Sequence, residues 1–176
     1  MKKNPLEEVL LEKISAQEMQ SLMPMIMEAF RVAIIEGVGE MDDSVMLREE
    51  LLMRYIAEPG MVVYKAAIEG QVVGVAILRI SPDNKRNVLE LLCVDVKQHC
   101  KGIGVKIWKG IEALYPNTEV WETETPDFSK RNVHFYVNKC GFHIVEYFNE
   151  AHQSDFEREH HAYEKYGKFR FEKKMQ

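Results

Sequence analysis

The chain is poor in the features that mark several large classes of protein. It has three cysteines in 176 residues, Cys93, Cys100 and Cys140. No two stand as C-x-x-C, so neither a disulfide framework nor a zinc ribbon is expected. An odd, unpaired set fits a reduced, cytoplasmic setting. The opening "MKKNPLEE" has proline and acids where a secretory leader needs an apolar core. The longest apolar run, around "VVGVAIL", is far too short to cross a bilayer as a helix. Positive charge is in deficit, with 23 Lys and Arg against 28 Asp and Glu and a net charge of −5. There is no basic stripe, so neither nucleic acid nor a membrane is an expected partner.

What remains suits a single domain over residues 1–176. Apolar residues at 46% and charged residues at 29% argue for a folded globule rather than a disordered chain. A chain of this length buries roughly two-thirds of its unfolded surface.

The hydrophobic pattern changes period along the chain. "VLLEKIS" (9–15) reads as a strand, and Met19, Leu22, Met23, Ile26, Phe30 and Ala33 recur at helical spacing over 17–35, with Pro24 predicting a kink. A second helix is predicted from Ser44, a good cap, to the stop at "EPG" (58–60). Two β-rich segments, 62–68 and 72–80, flank Glu69-Gly70 as a hairpin. "VLELLCV" (88–94) has the near-continuous apolar character of a central strand. A helical stripe over 102–114 follows, then a strand at "EVWETET", a helix in "DFSKRNVHFYVNKC" and a strand at "FHIVEYF". After a polar segment with His160-His161, "KFRFEKKM" alternates as a last strand. The order β-α-α-β-β-β-α-β-α-β-β predicts an α/β (α+β type) domain, a mixed and mostly antiparallel central sheet with helices on both faces.

The join between the central strand and the next helix, "VDVKQHCKGIGVKIW" (94–108), carries the most chemistry. A helix that starts at Gly102 or Ile103 exposes unpaired backbone N–H groups and the positive end of its dipole. Those groups suit a pyrophosphate, and glycine allows close approach of a ligand. The competing reading is a tight turn that uses glycine for φ > 0. The Walker pattern is absent, since no Gly-Lys-Ser/Thr follows. The dinucleotide fingerprint lacks its third glycine, because Ile107 stands there, although Glu122 lies 20 residues beyond Gly102 where a ribose-binding acid would sit.

The stretch "VDVKQHCKGIG" resembles the V-D-P-x-x-R-G-x-G-I-G signature of the GNAT superfamily of acetyl-CoA-dependent N-acetyltransferases. "RNVHFYVNKCGF" (131–142) resembles that family's second signature, an Asn-bearing helix with Phe-Tyr ending in Gly-Phe. The element order matches the family fold, so the resemblance spans 9–149. It implies that acetyl-CoA is a cosubstrate. Its pantetheine would lie along Leu92, Cys93 and Val94, and its pyrophosphate on the turn His99, Cys100, Lys101, Gly102, Ile103 and Gly104, with Asn132 anchoring the second signature. Two turn positions depart from the pattern: His99 replaces the usual Arg or Gln, and Cys100 replaces the first Gly.

Acetyl transfer needs a neutral amine and a proton for the departing thiolate. The resemblance points to Tyr136 as the acid. Counted from the Phe-Tyr pair the family tyrosine is Tyr136, and counted back from Gly141-Phe142 it is Val137; one extra residue near the helix end would reconcile the two. A core tyrosine is the alternative. Glu90, a lone acid in an apolar strand, is the candidate base, placed by alternation on one face with Leu92 and Val94. Glu122 and Glu124 are its rivals. Glu36, Glu40, Asp42 and Asp43 could attract a cationic amine, or be a solvated loop. His134, Cys140 and His143 are not spaced as a metal site. The expected activity is N-acetylation of a small-molecule amine or an exposed amino group by direct transfer. The alternatives are a non-catalytic acyl-CoA sensor of the same fold and a dinucleotide-binding enzyme. The tail from Glu150 onward would cover the acceptor site or join a second copy in a homodimer.

Overall fold

The computed structural model describes residues 8–99, 101–155 and 165–176, which leaves Cys100 and His160-His161 outside the described residues. Strand β1 (Leu10–Ile14) leads into helix α1 (Ala16–Val38) through a capping box, with Ser15 and Glu18 each accepting from the other's backbone N–H. Met19, Met23, Ile26 and Ile34 form its buried stripe. Pro24 lies inside a helix that continues to Gly39, whose φ of 94° ends it. Burial of the stripe on both sides of Pro24 offsets the hydrogen bond that the ring removes.

The helix predicted from Ser44 begins later. Asp42 accepts from both the N–H and the hydroxyl of Ser44, at 3.1 and 2.6 Å, and holds residues 43–45 in a single 3₁₀ turn. The Ser44 hydroxyl is spent there rather than as a helix cap, and α2 occupies Glu49–Tyr55.

Strands β2 (Met61–Ile68) and β3 (Gln71–Arg79) form the expected hairpin, with positive φ at both Glu69 and Gly70. Strand β4 (Arg86–Val94) pairs antiparallel with β3, but Ile77 faces Leu91 while Leu78 faces Leu89. Glu90 is the extra residue of a β-bulge. The bulge resets alternation, so Leu91 and Cys93 pack toward α1 and α2 while Leu92 and Val94 pack on the opposite side. Glu90 therefore does not share a face with Leu92 and Val94.

Helix α3 (Ile103–Leu114) crosses to β5 (Val120–Pro126), which runs parallel to β4. Helix α4 (Lys130–His134) continues into a π-helical turn over Phe135–Cys140, ended by Gly141 with φ of 80°. The Gly141 N–H donates to the Tyr136 carbonyl five residues back. This wider turn holds one extra residue near the helix end, the condition under which the two counts would meet. Strands β6 (His143–Phe148) and β7 (Lys168–Lys174) complete one sheet in the order β1-β2-β3-β4-β5-β7-β6. β4–β5 is its single parallel pair among the described residues. The sheet is thus mixed and mostly antiparallel, with α1 and α2 on one face and α3 and α4 on the other, as predicted.

Asn87 pins the paired end of β4 and β5. It is fully buried; its Oδ1 accepts from the Ser81 N–H at 2.9 Å, and its Nδ2 donates to Asn84 and Thr118 at 2.8 and 2.7 Å. Truncation would orphan these groups beneath the sheet. Asn87→Ala is expected to cost about 2–4 kcal/mol in urea unfolding; a loss under about 1 kcal/mol would mean that the network does not hold this junction.

Candidate functional site

The parallel ladder between β4 and β5 has only three residue pairs, from Arg86–Val120 to Val88–Glu122. Beyond Val88 the strands part and leave a wedge that widens toward the C-terminal end of β4. At its vertex the Thr123 hydroxyl donates to the Leu89 carbonyl at 2.8 Å, in place of a ladder bond. Further along, the Asp95 N–H donates to Val73 on β3. Strand alternation then turns the backbone groups of Val94 and Leu92 into the wedge, and those of Cys93 toward β3. The Val94 carbonyl meets the His99 ring, whose Nε2 lies 3.1 Å away. The same nitrogen is 3.4 Å from Arg131, which pairs with Glu36 of α1 at 2.9 Å.

Both glycines of the turn have distinct reasons. Gly102 is left-handed, with φ of 71°, and nothing lies near the position of an added Cβ. Gly104 answers to packing: a Cβ there would come within 3.0 Å of the Phe135 ring. The room beside Gly104 is filled by the Phe135 ring at the start of the π-helical turn. Lys106 N–H makes the first bond back to Gly102. The N–H groups of Ile103, Gly104 and Val105 therefore have no carbonyl within the helix to serve. Lys101 reaches Gln98 at 2.9 Å. Such a helix start accepts an anion, and the free edge of β4 accepts an extended chain as an added strand.

Tyr136 is buried in the aromatic core beside the wedge, 5.7 Å from Phe142 and 5.5 Å from Phe171 by ring centres. Burial pushes its phenol up to about 12, while a hydrogen bond with Thr123 pulls the other way. Asn132 sits on α4 and donates to the Thr125 hydroxyl at 3.3 Å, tying the helix to β5.

Glu90 lies on the α1/α2 side at the bulge. Its Oε1 accepts from Arg79 Nε at 3.0 Å, and Arg79 also pairs with Glu58 and stacks over Tyr55. Burial raises the Tyr55 phenol to about 12. Of the rival acids, Glu122 joins Glu172 around Arg86, and Glu124 pairs with Lys168 at 3.1 Å. Asp42 is likewise engaged: hydrogen bonds from Lys165, Ser44 and Tyr166 hold its carboxyl well below the usual range. Among the described residues no cluster of His, Cys, Asp or Glu is placed to hold a metal, and no helix is long and apolar enough to cross a membrane.

Wedge, turn and buried tyrosine come together as neighbours, whereas Glu90 stands across the sheet plane from Tyr136. Thr123 and Arg131 were missed by sequence reasoning. The alternation in "WETET" does put Thr123 on the face opposite the glutamates, but nothing in it points to the Leu89 carbonyl.

The Acetyltransferase (GNAT) family pattern matches residues 20–142. YrkN, an uncharacterised protein of Bacillus subtilis (strain 168), is 42% identical over 146 residues, covering 83% of this chain and 79% of that protein. A GNAT family acetyltransferase from Elizabethkingia anophelis with acetyl-CoA bound has a similar fold, with a TM-score of 0.65 at 16% identity over 96% of this chain and 99% of that one. The PaiA N-acetyltransferase of Thermoplasma acidophilum in complex with coenzyme A gives a TM-score of 0.69 at 14% identity, over 96% of this chain and 100% of that one. The family match over most of the chain, on a sheet that parts at the site its turn faces, makes this protein a member of the GNAT acetyltransferase family.

Proposed function

We propose that residues 1–176 are a single, cytoplasmic, acetyl-CoA-dependent N-acetyltransferase domain. The acceptor is a primary amine of a small molecule or an exposed amino group, and transfer is direct, in a ternary complex. The observation that carries this reading is the parting of β4 and β5 after three residue pairs, at the end of β4 from which the chain turns into α3. The fold is shared with proteins crystallised with acetyl-CoA or coenzyme A, which supports the choice of cosubstrate.

In this reading the backbone of Leu92 and Val94, with Cys93 between them, holds the pantetheine, and the turn from His99 to Gly104 holds the pyrophosphate, with Asn132 fixing α4 beside it. The Val94 carbonyl, met by the His99 ring, keeps a second lone pair for a pantetheine amide. Glu90, 20% exposed at the bulge, takes the amine proton through water. Tyr136 gives its proton to the thiolate. Its raised pKa of about 12 keeps the phenol protonated through the ordinary tyrosine range near ~10, so the alkaline limb of a kcat profile is not expected from Tyr136. The departures from the family turn at His99 and Cys100 favour one second reading, a non-catalytic acyl-CoA sensor.

Thermal unfolding with acetyl-CoA, CoA and NAD side by side tests the cosubstrate. Acetyl-CoA and CoA should raise Tm and NAD should not; stabilisation by NAD alone, or by none of them, overturns the proposal. Thiol release over an amine panel then separates enzyme from sensor, which binds without turnover. Tyr136→Phe should lower kcat roughly 100-fold with little change in acetyl-CoA affinity; an unchanged kcat removes Tyr136 from the chemistry.

A further inference from the structure

We infer that Arg131 binds the pyrophosphate of the acyl-CoA cosubstrate, its guanidinium reaching from α4 to the turn after β4 and supplying there the positive charge that His99 does not. This deepens the cosubstrate reading above and rests on it.

Arg131 lies in the first turn of α4, which follows β5, and its Nη2 comes within 3.4 Å of His99 Nε2, in the turn that follows β4. One side chain thus joins the elements that continue the two separated strands. That contact is mismatched. His99 Nε2 is also 3.1 Å from the Val94 carbonyl, which can only accept, so the shorter contact places a proton on that nitrogen. A ring nitrogen that carries a proton has no lone pair to offer, and a guanidinium can only donate. Arg131 Nη2 therefore faces a donor, in the neutral ring and the imidazolium alike, and His99 leaves its hydrogens without an acceptor.

Glu36 does not meet this need, because both of its carboxylate oxygens lie against Nη1, at 3.3 and 2.9 Å. It fixes the direction of the guanidinium while the side chain stays 51% exposed, open to a ligand. An arginine held in place before the ligand arrives loses less conformational freedom on binding it. The turn itself is short of a suitable cation. The imidazole of His99 is aimed back at β4, and the Lys101 ammonium meets Gln98 at 2.9 Å. A phosphate oxygen that replaces the His99 ring beside Nη2 would turn a donor–donor contact into a charge-assisted hydrogen bond, and the planar guanidinium suits phosphate better than a point ammonium does.

The test is CoA binding, read by titration calorimetry without any acceptor amine, in wild type, Arg131→Gln and Lys130→Gln. Lys130 is exposed and adjacent in the chain, so Lys130→Gln reproduces the change in net charge without the contact. Arg131→Gln should weaken CoA binding roughly 10-fold and flatten its dependence on salt, while Lys130→Gln stays within about 2-fold. Dephospho-CoA, which keeps the pyrophosphate and lacks the ribose phosphate, should show the same loss in Arg131→Gln. If urea unfolding shows that Arg131→Gln is not folded, Arg131→Met carries the test with the same expectations. Equal losses in Arg131→Gln and Lys130→Gln mean a diffuse effect of charge and overturn the inference. So does a loss seen with CoA and absent with dephospho-CoA, which moves the contact to the ribose phosphate. Unchanged CoA binding in Arg131→Gln overturns it too, as does tighter binding, which would make Arg131 a bar to the ligand. Each of these outcomes leaves the cosubstrate reading standing. A wild-type protein that binds neither CoA nor acetyl-CoA defeats that reading, and this inference with it.

Discussion

Everything distinctive in this fold follows from β4 and β5 separating after three paired residues. A sheet that opens in its middle leaves backbone groups without ladder partners, and such groups are costly unless they are served some other way. The molecule serves them individually. Thr123 takes the Leu89 carbonyl with its side chain, and His99 takes the Val94 carbonyl from the turn beyond the strand. β5 recovers a full partner on its other side by pairing with β7 over seven residues, from Val120–Lys174 to Pro126–Lys168. The closed end is held by Asn87, whose amide spans the β3–β4 turn and the approach to β5. A ligand that runs along β4 would supply what the neighbouring strand does not, which is the physical sense of an added strand.

The two faces of the sheet around this opening differ in kind. On the α3/α4 side Trp108, Trp121, Phe142 and Phe171 fill the space with rings, and Tyr136 is embedded among them. On the α1/α2 side, beyond the apolar patch under the helices, the sheet carries interlocked ion pairs: Arg79 with Glu90 and Glu58, Arg86 with Glu122 and Glu172, Arg170 with Glu146. In the proposed reaction the two proton transfers are therefore separated by the plane of the sheet. The amine and Glu90 work from the polar face, and the thiolate takes its proton from the aromatic one. The bulge makes that division, because without the extra residue Glu90 would sit on the face of Leu92 and Val94.

Element order, the Glu69-Gly70 hairpin and the central strand were legible in the sequence because each rests on local periodicity and turn chemistry. The start of α2 was not, since the choice between Ser44 as a cap and Ser44 as a donor to Asp42 depends on Asp42 also meeting Lys165 and Tyr166 from far along the chain. The Glu90 bulge was equally hidden. A one-residue shift in pairing leaves no mark on the apolar run "VLELLCV" and shows only against β3. The π-helical turn left a trace, the one-residue mismatch between the two counts on Tyr136, but its location needed the carbonyl that Gly141 and Phe142 share. Of the site, the backbone-built parts were visible as a strand, a glycine turn and a helix. The side chains that close it, Thr123 and Arg131, act through tertiary contacts and carry no pattern of their own.

The glycine turn changes meaning once α4 is in place. Gly102 is needed for its own backbone, since its φ of 71° is one that side-chained residues rarely adopt. Gly104 is needed for another element: it makes room for Phe135, the residue before Tyr136. The strand–turn–helix signature and the Phe-Tyr signature are thus one packed unit rather than two motifs that happen to share a chain. A methyl group at position 104 would press on the Phe135 ring and, through the adjoining residue of the same π-helical turn, on the placement of the Tyr136 ring. The proposed anion-binding end of α3 and the proposed proton donor are in this way held in one register by a contact with no polar atom in it.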